Sequence, residues 1–249
     1  MEAAGGGGGG RVCRHPQAVW RQGQGRAALN LPTAEALLLP GIAAFYLYDS
    51  MLLLYADELV FTKPARRWLA ALGDGATFGG RYLAFPALLS PGSPVFRAAW
   101  NAPADAGAPA LEAVLRVVRP LRWHAWLLAL ALFVLVPAAL ALHASSACLL
   151  GLLALIYLPT MLAVLYLVRR RGPLGLSRKE LASIAFDAIA CPPFALNLVR
   201  RVTLRCGLPQ AAPAFADAVL DAPARARLQQ ALETRWALLD RGREPEDAA

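Results

Sequence analysis

The sequence predicts an all-α membrane protein with a small β-containing cytoplasmic insert. The expected plan is three transmembrane helices plus a proline-broken re-entrant or fourth membrane segment. Three observations carry this. Apolar residues gather into runs of about 20, the length that crosses a hydrocarbon core of about 30 Å. Basic residues bracket those runs. Between the first two runs lie short β-prone stretches separated by glycine and proline turns.

Composition agrees. The 249 residues are 57% hydrophobic and 17% charged, against roughly half and a quarter in an ordinary soluble domain. Formal charge is +8, and of 25 basic residues only Lys63 and Lys179 are lysine. Placed beside apolar runs, this excess suits anionic lipid and membrane threading better than nucleic acid. No recognition helix, zinc finger or aromatic RNA-binding pattern is present, so a nucleic-acid partner is not expected.

Residues 1–30, with "EAAGGGGGGR", read as a low-complexity disordered tail or an overlong start. No charged-then-apolar signal region precedes the first run. Residues 31–60 form the first membrane unit, a helix from about Ala34 to Leu59 that Pro64 prevents from continuing far. Residues 61–120 form the cytoplasmic insert and linker. There "ELVFT", "RYLAF" and "VFRAAW" are strand candidates, with turns at Gly73-Asp74-Gly75, Gly79-Gly80 and Pro91-Gly92. "NAPADAGAPA" is a linker, and Leu111–Arg119 a short helix leading into the second span.

Residues 121–168 make a transmembrane hairpin, Leu121–Leu142 and Ala147–Val168. So short a link makes the two helices antiparallel neighbours, and either Ser145 or Ser146 can cap the second. Trp123 and Trp126 suit an interface. Pro137 and Pro159 should kink these helices, which neighbouring helices tolerate in lipid. Residues 169–206 hold the re-entrant, interfacial or fourth transmembrane segment, Leu181–Val199, broken at Pro192-Pro193. Residues 207–249 are a cytoplasmic helical region, with Leu228, Leu232, Trp236 and Leu239 at helical spacing, expected to pack on the insert or lie at the membrane surface.

The hairpin turn carries no Lys or Arg. Arg116, Arg119 and Arg122 precede the hairpin, and Arg169-Arg170-Arg171 follow it. The tip therefore lies outside and residues 60–120 inside. Arg14, Arg21 and Arg26 before the first run argue the other way.

The candidate functional residues form a polar sector in the first run: Tyr46, Asp49, Ser50 and Asp57, with Glu58 beyond. On a continuous helix, Tyr46, Asp49, Ser50 and Asp57 share about a quarter-turn of the wheel. Lipid cannot satisfy such a sector, so it must face protein or water. Three roles follow. Asp49 is neutral or bonded to a group such as Tyr157, Thr160 or His124, and fixes helix packing. Or it relays protons or ions, with Asp57 and Glu58 as an inner mouth. Or it shares a proton with Asp187 in an intramembrane enzyme.

Other chemistry is missing. "GDGATFGGR" lacks the Lys-Ser/Thr ending of a phosphate loop and reads as a turn. His15, His124 and His143 show no zinc spacing, and GxSxG is absent. Four scattered cysteines read as small buried thiols. No catalytic residue, metal or cofactor is expected. The expected role is a non-enzymatic interaction or accessory subunit of a membrane complex in a bacterial inner membrane, with the lipid bilayer and a membrane protein or a second copy as partners. A proton- or ion-coupled transport component is the alternative, and the Asp49/Asp187 enzyme the lesser one.

Overall fold

In the computed structural model, which describes residues 34–73 and 75–243, the first apolar run divides into a helix and a strand. Helix α1 covers Ala34–Ser50 and stops there. Leu52–Leu54 forms strand β1 and Glu58–Thr62 forms β2. The expected helix to Leu59 thus runs past the observed end at Ser50 and into two strands. Hydropathy does not separate a buried strand from the end of a helix. Leu54 and Leu59 are fully buried, but in sheets.

The insert holds two antiparallel three-stranded sheets. Strand β1 pairs with β5 (Arg81–Ala84), which pairs with β4 (Thr77–Phe78). Strand β2 lies between β3 (Leu69–Ala71) and β6 (Val95–Ala99). The "GDGATFGGR" stretch is a hairpin. Phe78 pairs with Arg81 across Gly79 and Gly80, at φ 57° and 74°. Two left-handed residues in a two-residue loop suit the strand twist, and glycine takes them without strain.

Helix α2 (Leu111–Leu130) continues through a π-helical turn, Ala131–Leu135, into α3 (Val136–Ala141). Pro137 lacks the N–H that would bond one turn back. The wider turn immediately before it absorbs that defect without ending the helix. The whole rod has 31 residues, about 46 Å by the helical rise and longer than a hydrocarbon core. Its N-terminal part bears Arg116, Arg119 and Arg122 and sits against the insert, where Arg122 Nη2 donates to the Pro64 carbonyl at 2.7 Å. The short leading helix expected at Leu111–Arg119 is therefore the base of the second rod.

After the turn, Ser145 caps α4 (Ser146–Arg169) by accepting from the Cys148 amide at 3.4 Å. Tyr166 ties α4 to α2 through the Val117 carbonyl. Helix α5 (Arg171–Leu174) leads to α6 (Arg178–Ala190), whose start is a capping box of Ser177 and Glu180. Cys191 is extended, and Pro192 and Pro193 open α7 (Pro192–Leu196). The chain therefore breaks where the two prolines remove two donors. Helix α8 (Leu198–Thr203) follows, and Thr203 Oγ1 accepts from the Val95 amide at 2.8 Å, joining this segment to β6.

Helices α9 (Ala212–Val219) and α10 (Ala222–Arg243) cover the insert. Phe215 packs on Phe61 and Trp68 at 4.8 and 5.3 Å between ring centroids. Leu228 and Leu232 are buried, and the Arg235 guanidinium donates to the Leu72 carbonyl and stacks on Tyr82. The C-terminal stripe thus packs on the insert. The N-terminal tail with Cys13 and His15 lies outside the described residues.

Gly92, at φ 81°, presses on α2. A Cβ there would lie 2.9 Å from the Arg122 Cα. Gly92→Ala should cost about 1–3 kcal/mol of stability, read as a lowered denaturation midpoint of the detergent-solubilised chain. Gly151→Ala on α4, where a Cβ meets nothing within 4 Å, should be neutral or slightly stabilising.

Candidate functional site

The end of α1 places Asp49 in the last helical turn rather than at mid-helix. A carboxylate there adds to the negative end of the helix dipole, and the last carbonyls lack helical partners. Helix α8 supplies the answer with two adjacent arginines. Arg200 Nη1 donates to the Ser50 carbonyl at 2.8 Å, and Arg200 Nη2 donates to the Pro86 carbonyl. Arg201 Nε donates to Asp49 Oδ1 and Oδ2 at 3.0 and 3.2 Å, and Arg201 Nη2 bonds Oδ1 as well. Arg201 Nη1 donates to Asp187 Oδ2 on α6 at 2.5 Å. The same guanidinium lies 4.6 Å over the Phe194 ring of α7. A planar fork suits this arrangement, since it serves two carboxylates and one aromatic face together.

Each residue of the expected sector can now be placed. Ser50 is fully buried, and its hydroxyl accepts from Asn197 Nδ2 at 3.1 Å. The Tyr46 hydroxyl donates to the Leu88 carbonyl at 2.5 Å, and its ring meets Phe133 edge-on. Asp49 and Asp187 come together on one arginine. Asp57 and Glu58 do not join them, because they follow β1. Asp57 lies in the turn, where its carbonyl accepts from Trp100 at 2.7 Å. Glu58 opens β2, pairs with Arg97, and accepts from the Tyr55 amide at 2.7 Å. The wheel placing Asp57 beside Asp49 therefore fails with the helix that carried it.

The partners expected for Asp49 also differ. Thr160 donates to its own helix at Ile156, and both His124 ring nitrogens are buried without a hydrogen bond. No period or spacing in the chain links Arg200, Arg201 or Asn197 to the first run. The usable signal was chemical: two carboxylates within apolar runs require a cation, and Arg200-Arg201 directly follow the broken segment. Cys206 is buried as expected, whereas Cys148 is exposed on α4. Among the described residues, no cluster of three or more His, Cys, Asp or Glu is arranged to hold a metal ion.

Beside this knot lies an open cleft of about 490 Å³ whose lining includes Asp49, Arg81, Arg97, Arg200, Arg201 and Arg205. Arg205 reaches Glu180 at 3.7 Å. The Ser177 amide and hydroxyl hold the Glu180 carboxyl below its usual range, with Arg205 adding to the effect. The buried Cys206 thiol is pushed up from 9.0 to about 11, first by burial and then by the Glu180 charge. Comparison with family models, curated proteins and solved structures finds no match to this chain, so its chemistry is read from the geometry.

Two outcomes are expected. Arg201→Leu leaves two carboxylates without their cation and should cost about 3 kcal/mol, while Asp187→Ala, at the more exposed end, should cost under about 1 kcal/mol. Asp49→Leu combined with Arg201→Leu should recover part of that loss, measured as a double-mutant cycle of unfolding free energies. For Cys206, the folded value lies above the unfolded one. The protonated thiol therefore adds stability below about pH 9, which is lost as pH rises towards about 11. Cys206→Ala should flatten that part of the stability–pH curve relative to the wild type.

Proposed function

We propose that the chain is a multi-pass membrane protein serving as a non-enzymatic interaction or accessory subunit, with α1 as the third membrane-embedded helix beside the α2–α4 hairpin. One observation carries the membrane reading. Two helices, Leu111–Ala141 and Ser146–Arg169, are long and apolar enough to cross a bilayer, yet only 28% and 17% of their most apolar windows are buried within the fold. A core helix of a soluble protein would be mostly covered. Leu150, Leu153, Leu158 and Leu162 instead face outward along α4, a large apolar surface that requires lipid or a partner. Trp123 and Trp126 are exposed where the basic base of α2 gives way to its apolar part, as suits a membrane interface.

The accessory role is favoured over chemistry because the two carboxylates, Asp49 and Asp187, are already engaged. Asp49 and Asp187 have a guanidinium between them, an arrangement that fixes three helices and sets the two carboxylates on the cation instead of on each other. The proton-coupled alternative has less support: Asp49 sits at a helix end in an ion pair, and Asp57 and Glu58 lie away in the insert. In this reading the hairpin tip faces outward, the insert and C-terminal helices face the cytoplasm of a bacterial cell, and α6–α8 form a re-entrant or interfacial segment turning at Pro192-Pro193.

Alkaline carbonate should leave the chain in the membrane pellet. Topology reporters should face outward at Ser145 and inward at Pro173 and Ala249. An outward Ala249 reporter would make α6–α8 a fourth span. Asp49→Asn keeps shape and hydrogen bonding, so assembly into a complex should survive it and fail in Asp49→Leu. Loss of a proton-dependent flux in Asp49→Asn alone would replace the accessory role with the transport one.

A further inference from the structure

We infer that the arginine-lined cleft at the end of α1 binds the phosphate headgroup of an anionic phospholipid, a site that rests on the membrane reading above. The cleft lining contains five guanidiniums and one carboxylate, that of Asp49. Asp49 is engaged by Arg201, Glu58 by Arg97, and Glu180 loosely by Arg205. Among the described residues, Arg81 and Arg200 form no ion pair. Arg81 donates to the Tyr55 hydroxyl at 2.6 Å, and Arg200 donates only to carbonyls. Arg200 is 4% exposed. Arg200 thus adds a buried full charge with no carboxylate bonded to it, and the five guanidiniums around one lining carboxylate leave the cleft favourable to an anion. Arginine forks match phosphate oxygens in geometry as well as charge.

The position selects a lipid phosphate over a free one. Tyr48 lines the cleft from α1 and Ile184 from α6. Leu47 and Phe186, on the same two helices, face outward. An anion seated among the arginines therefore has exposed apolar surface beside it for acyl chains. A soluble phosphate would gain nothing from that surface. A second basic cleft, lined by Lys63 and Arg66 of the insert and Arg119 and Arg122 of α2, supplies a control for diffuse charge.

The test uses the full chain in neutral detergent, titrated with phosphatidylglycerol, phosphatidylcholine or inorganic phosphate, with bound lipid counted by native mass spectrometry. The wild type should retain phosphatidylglycerol at least about tenfold more tightly than phosphatidylcholine. Arg81→Gln with Arg205→Gln should abolish that preference, since each arginine contributes roughly fivefold. Arg66→Gln with Arg119→Gln should leave it intact. Equal loss in the two double variants would reduce the site to general surface charge and overturn it. Saturation by inorganic phosphate, with phosphatidylglycerol then excluded, would overturn the lipid assignment. Arg200→Gln, provided it keeps the wild-type far-ultraviolet spectrum, should lose the preference as well, and an unchanged preference in it would count against the site. Carbonate extraction of the wild type separates the two levels. A wild type without headgroup preference that still stays in the membrane pellet sinks the site alone, whereas a wild type that extracts into the supernatant sinks the membrane reading first.

Discussion

Helix α1 ends with a carboxylate and a set of unpaired carbonyls in one place, and both are negative. Left alone, that end would be unfavourable anywhere, and more so beside lipid. The fold brings Arg200 and Arg201 to it from about 150 positions further along the chain. One arginine takes the backbone and the other takes the side chain. Because Arg201 also holds Asp187, and Arg200 also holds Pro86, the same two residues bind α1, α6, α8 and the loop after β5 into one unit.

That unit depends on the proline break. A continuous helix from Arg178 onward would carry Asn197, Arg200 and Arg201 away along one axis. The interruption at Cys191-Pro192-Pro193 turns the chain, so that α7 packs against α1 through Phe194 and Phe45 and α8 arrives at the end of α1. The lost backbone bonds at the break are offset by what the turn brings together: the Ser50–Asn197 bond, the arginine cap and the Thr203 link to β6.

The rod of α2 and α3 performs a different task. Its base is charged and packed on the insert, its upper part is apolar and largely uncovered, and the π turn before Pro137 keeps it continuous. The insert is therefore fastened to a membrane-length helix at Gly92 and Pro64, where Arg122 meets it. The C-terminal helices hold the insert as well, through Phe215 and Arg235.

Local pattern made several features legible. The hairpin runs, a serine cap at 145 or 146, the strands at 58–62, 81–84 and 95–99, the glycine turn at 79–80 and the break at 192–193 all arise from periodicity, turn chemistry or a missing N–H within a few residues. The stop of α1 at Ser50 was not legible in this way. Leu52–Leu54 is as apolar as the helix before it, and only pairing with β5 makes it a strand. That one difference moved Asp49 from mid-helix to a helix end and separated it from Asp57 and Glu58. The sequence alone determined that carboxylates within apolar runs need a companion. Tertiary structure alone decided that the companion is Arg201, because an ion pair spanning 152 positions leaves no period or spacing in the chain, only a geometry.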